Sequence, residues 1–81
     1  MFTNKTMEGK NNLCGPSVAK RRKNMGLSQR QLADALQLAG LDVDKNAIQR
    51  IESGARFVTD IELVYLSRVL ELSLEELLGE R

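Results

Sequence analysis

The chain has 81 residues, 42% of them apolar and 28% charged, with 1 proline, 1 cysteine, no histidine and a net charge of +1. That is the length of one domain with one modest core. A lone Cys14 and the lack of histidine exclude a disulfide scaffold, a zinc finger and any His-based catalytic set. No apolar run approaches the roughly 18 residues of a membrane helix.

The small net charge conceals an asymmetry. Up to residue 58 there are ten Lys/Arg and five Asp/Glu, and from residue 59 onward two and six. An anionic partner would therefore meet a basic half and avoid an acidic one. The first residues lack the apolar stretch of a signal peptide, so a cytoplasmic protein is expected. The acidic residues of 59–81 are spread over several helix faces, which gives paired-carboxylate catalysis no support. No enzyme activity, cofactor, metal or membrane contact is expected.

Residues 1–14 are expected to form a flexible N-terminal arm that includes Cys14 as an inert thiol, with one domain over 15–81. Asn, Lys, Thr and Gly dominate the first twelve residues and no apolar period appears. Gly15-Pro16 opens the first helix, since proline fits a first helical turn, and Gly26 ends it. Val18, Arg22 and Met25 share one face. Ser28-Gln-Arg-Gln31 has the form of a capping box and starts the second helix, with Leu32, Leu36 and Ala39 inward and Gly40 as its stop.

Asp44 can cap a third helix, Lys45 to Ser53, closed by Gly54. Thr59-Asp-Ile-Glu62 is a second capping box. It opens a helix with Ile61, Leu63, Val64, Tyr65, Leu66, Val69 and Leu70 around most of its circumference, the pattern of a central core helix. Ser73-Leu-Glu-Glu76 is a third box, before a short helix with Leu74, Leu77 and Leu78 inward. No alternating strand pattern occurs, so the fold expected is all-α with five short helices.

The third helix is the informative one. Ile48, Ile51 and Glu52 face inward by period, while Lys45, Asn46, Gln49, Arg50 and Ser53 face outward. The outer set carries two cations, several donor–acceptor groups and no carboxylate. Those side-chain types suit base edges in a DNA major groove, Arg or Lys for guanine and Asn or Gln for adenine. A solvated helix face is polar too. The lack of acidic residues, and Gln29-Arg30 at the start of the preceding helix, favour the DNA reading.

Gly26-Leu-Ser-Gln-Arg-Gln-Leu-Ala33, Ile48-Gln-Arg-Ile-Glu-Ser-Gly54 and Leu72-Ser-Leu-Glu-Glu-Leu-Leu78, in that order, resemble the lambda-repressor-like helix-turn-helix family that includes Cro and Xre. The resemblance covers about residues 15–79. It implies a DNA-binding transcriptional regulator of a bacterium, phage or mobile element, with the second helix of the motif in the major groove. It also implies a repressor that binds a palindromic operator in double-stranded DNA as a homodimer. By the same resemblance Asp44, Lys45, Asn46 and Arg50 reach base edges, with Gln49 beside them. Gln29 braces the backbone and helps position a base-contacting partner, with Arg30 next to it, Ser53 and Arg56 contact phosphate, Ala33 allows close helix approach, and Arg22–Glu52 is a structural ion pair.

The sequence departs from the family pattern between Leu36 and Val43, where about five extra residues extend the helix-turn-helix turn. They are expected to lengthen the second helix and to move the turn glycine to Gly40. The added loop either projects clear of the duplex or alters docking. Asp44 either caps the third helix or accepts a hydrogen bond from a cytosine amino group. An alternative function is a protein-interaction module of the same fold, an antitoxin or adaptor that uses its acidic, Leu-rich C-terminal helices.

Overall fold

A computed structural model describes residues 5–79. Five helices follow one another: α1 (Gly15–Asn24), α2 (Gln29–Ala39), α3 (Lys45–Ser53), α4 (Asp60–Leu70) and α5 (Leu74–Leu78). No strand occurs among the described residues, as the missing alternation predicts.

Local chemistry sets the helix boundaries. At each of Ser28, Thr59 and Ser73 the hydroxyl accepts a backbone N–H three residues on, and the Gln31, Glu62 or Glu76 side chain accepts the capping residue's own N–H. Two of the four unpaired N–H groups at each helix start are thereby satisfied. Asp44 caps α3 through Oδ1, which accepts the Ala47 N–H at 2.8 Å. Gly40 ends α2 with φ +113°, a left-handed conformation that L side chains rarely adopt. The second helix thus includes Gln37–Ala39, while Gly40, Leu41 and Asp42 belong to the turn.

Val18, Leu32, Leu36, Ile48, Ile51, Leu66, Leu70 and Leu77 are fully buried, so all five helices supply the core. α3 packs on both α1 and α2, and α4 on α1, α2 and α5. The turn from Gly40 to Asp44 is pinned to the domain at Val43, while Gly40, Asp42 and Asp44 are exposed. Val43 is buried, the Gln37 amide donates to the Val43 carbonyl at 2.6 Å, and Tyr65 of α4 lies against Gly40.

Several inward assignments need correction. Met25 lies beyond the last turn of α1 and is exposed. Ala39 is exposed at the end of α2, and Ala33 takes its place because α2 meets both α3 and α4 and needs a broader stripe. Only Leu66 and Leu70 of α4 are fully buried, while Ile61 is 65% and Val64 38% exposed. α4 therefore packs one side on the core and leaves the side with Ile61 and Val64 open to solvent. Leu74 and Leu78 are likewise exposed, and Leu77 alone anchors α5.

The expected arm also differs. Residues 1–4 lie outside the described residues, but Lys10, Asn11 and Asn12 bond the end of α3 and the chain leaving it. Cys14 is 1% exposed and belongs to the core. The packed body of the domain therefore begins before residue 15.

Candidate nucleic-acid interface

α3 buries Ile48 and Ile51 and leaves Lys45, Asn46, Gln49, Arg50 and Ser53 exposed. The 3.6-residue period places these five on one side, along about two turns. Among them are two cations and two amides, and no carboxylate. An anionic surface laid along this side meets donors first, and the amides also offer acceptors.

Its orientation is fixed from behind. Glu52, on the inner side of α3, takes two bonds from the Arg22 guanidinium of α1, Nε to Oε2 at 2.6 Å and Nη2 to Oε1 at 3.0 Å. Gln29 of α2 donates from Nε2 to Oε1 of the same carboxylate at 3.0 Å. The third arm of Arg22, Nη1, donates to the Leu27 carbonyl at 2.8 Å in the turn between α1 and α2. The side chains of the pair are 10% and 9% exposed, and the bonds to Glu52 raise the guanidinium pKa above its ordinary value. Three helices meet on one carboxylate, as the resemblance implied for Arg22 and Glu52.

The remaining expected site residues divide. Arg30 is exposed at the start of α2 and, with Asp44, Lys45 and Asn46, lines a cleft of about 270 Å³ between α2 and α3. Asp44 uses one carboxylate oxygen as the α3 cap, which satisfies the capping alternative. Gln29 is half-buried and its amide N–H turns inward to Glu52. The Ser53 hydroxyl donates to the Arg50 carbonyl at 3.1 Å.

Arg56, expected to contact phosphate, is folded back in this structure. Its Nη2 pairs with Glu62 at 3.0 Å, and its Nη1 is buried without a hydrogen-bond partner. Glu62 already closes the α4 capping box through its other oxygen. A carboxylate fixed by the cap is a ready partner for the nearest cation, and it folds the guanidinium back onto α4.

Two features near α3 were not anticipated. Asp34 places a carboxylate in the Arg30–Lys45 cleft. Lys10, Asn11 and Asn12 reach the far end of α3. A capping-type Asn just ahead of Gly15-Pro16 was the only sign of the second feature in the sequence.

Comparison with known proteins agrees with this geometry. The sequence profile of the helix-turn-helix family matches residues 18–77. No curated protein is matched. Among solved structures, the restriction-modification controller protein C.AhdI from Aeromonas hydrophila superposes with a TM-score of 0.67 at 27% identity, over 78% of this chain and 88% of that one. The chain belongs to the Cro/C1-type helix-turn-helix family and is a DNA-binding transcription regulator.

Proposed function

We propose that the protein lays α3 in the major groove and reads base edges with Lys45, Asn46, Gln49 and Arg50. The observation that carries this reading is the exposed, carboxylate-free side of α3, held in place by the buried Arg22–Glu52 pair. Direct readout needs side chains of these types on a rigid helix. Arg30 and Ser53, at the two ends of the surface, supply contacts to the sugar–phosphate backbone, which position the protein and carry no sequence information.

We further propose that it binds a palindromic operator as a homodimer and represses by occupying it, without catalysis. The dimer is supported by Ile61 and Val64, exposed and three residues apart on α4. Likeness to a restriction-modification controller supports control of transcription over a purely architectural role on DNA.

Selection of bound sequences from random DNA tests this directly. The expected product is an inverted repeat whose half-sites lie about one helical turn, or a multiple of it, apart. An enriched single half-site contradicts the homodimer, and no enrichment at all contradicts base reading.

A further inference from the structure

The segment before α1 makes a dense set of bonds to the end of α3. Asn12 Nδ2 donates to two carbonyls, Ile51 at 3.1 Å and Arg56 at 2.8 Å. Its Oδ1 accepts the Gly15 N–H at 2.9 Å. One side chain thus joins the start of α1, the last turn of α3 and the chain leaving it. Asn11 adds its backbone N–H to the Gly54 carbonyl at 2.8 Å and its Nδ2 to the Ala55 carbonyl at 2.9 Å. Lys10 lays its stem on Gly54 and donates from Nζ to the Ser53 carbonyl at 3.2 Å. Gly15 permits the approach, because a Cβ there would lie 2.4 Å from the Ile51 carbonyl oxygen.

These partners share a physical logic. The last carbonyls of a helix lack intrahelical donors and carry the negative end of its dipole. Here two Asn amides and a Lys ammonium reach the carbonyls of Ile51, Ser53 and the residues just past the helix. The Arg22–Glu52–Gln29 cluster holds α3 from its inner side, and residues 10–12 hold its C-terminal end. These residues precede the 18–77 stretch matched by the family profile.

We propose that Lys10, Asn11 and Asn12 form a clasp that sets the angle of α3 in the groove, with Asn12 as the positioning residue. The clasp rests on the reading of α3 as the base-contacting helix. Asn12 touches no base in this account. It acts through Arg50 and Gln49, whose reach depends on the tilt of the helix that carries them. A misplaced reading helix keeps its charges and loses its register, so sequence discrimination falls while counterion release does not.

The test compares the selected site with random DNA at fixed salt for wild type, Asn12→Ala, Asn12→Asp, Asn11→Ala and Arg50→Ala, well below each protein's melting temperature. Asn12→Asp retains the acceptor for the Gly15 N–H and removes both donors to α3 and its exit, so it separates the clasp from the start of α1. Asn11→Ala removes the bond to the Ala55 carbonyl and the one from the Lys5 ammonium, and serves if Asn12→Ala folds poorly. Both Asn12 variants are expected to lower the ratio of selected-site to random affinity about tenfold, comparable to the loss of one base contact. Their salt slopes should stay at the wild-type value. Asn11→Ala should move the ratio in the same direction by less. Hydrogen exchange at the Ala55 amide, which bonds the Arg50 carbonyl at 2.9 Å, should quicken in all three. Equal weakening on both DNAs, or an unchanged ratio, overturns the clasp if Arg50→Ala still loses discrimination. If Arg50→Ala leaves discrimination intact, the reading of α3 falls and the clasp falls with it.

Discussion

Arg22 of α1 and Glu52 of α3 meet as a two-pronged ion pair, both side chains about nine-tenths buried. Gln29 of α2 bonds the same carboxylate, so removal of Glu52 strands a guanidinium and releases all three helices. Glu52→Ala should therefore destabilise by about 3–5 kcal/mol, the range for a broken buried pair. Replacing both partners with apolar residues should cost much less than either single change. Gln29→Ala should cost roughly 1–2 kcal/mol, since it removes one bond to a charged acceptor. Urea midpoints for the four proteins check the order, and an unmoved midpoint for Glu52→Ala contradicts it.

Cys14 gives the domain an alkaline limit. Burial pushes its thiol from an ordinary 9.0 up to about 11, and the Glu62 carboxylate adds to the shift. The folded state thus keeps a proton that the unfolded chain releases between those values. Stability is full below pH 9 and falls as pH rises toward 11, by about 2–3 kcal/mol from this group. Denaturation across that range should show the loss, and Cys14→Ala should remove it. A thiol reagent at neutral pH should react with Cys14 only as fast as the domain opens.

Glu71 ends α4 with φ +56°, in the left-handed region, where an L side chain is strained. Its 4.0 Å approach to Arg21 is solvent-exposed and contributes little. Glu71→Gly should stabilise the domain by about 1 kcal/mol, seen as a higher urea midpoint. A lower midpoint would mean that the Glu71 side chain matters more than its backbone.

Arg56 separates the structural account from the resemblance. Paired with Glu62 and partly buried, it should act on stability. Arg56→Ala should lower the melting temperature and leave the slope of DNA affinity against salt unchanged. A slope reduced by about one would restore it as a phosphate contact.

Much of this was legible in the residues. Three capping boxes placed helix starts at Ser28, Thr59 and Ser73, because such a box depends only on side chains three residues apart. The outward row of α3 followed from its period, since Ile48 and Ile51 fixed the inner side. Tertiary context hid the rest. Ile61, Val64, Leu74 and Leu78 are apolar at helical spacing, yet spacing alone does not reveal that they stay partly open to solvent among the described elements. Lys10, Asn11 and Asn12 carry no apolar signal, and their partners are backbone carbonyls some forty residues away. Arg56 looked free because its partner Glu62 was already assigned to the cap.

The central claim is that α3 reads bases and does not merely attract DNA, and Arg50→Ala tests it most directly. The measurement is affinity for the selected site and for random DNA, at one salt concentration, for wild type and variant. The account predicts a loss of about 1–3 kcal/mol on the selected site, a much smaller loss on random DNA, and a relaxed preference at one or two base positions. Equal weakening on both DNAs would reduce α3 to an electrostatic contact and contradict the account.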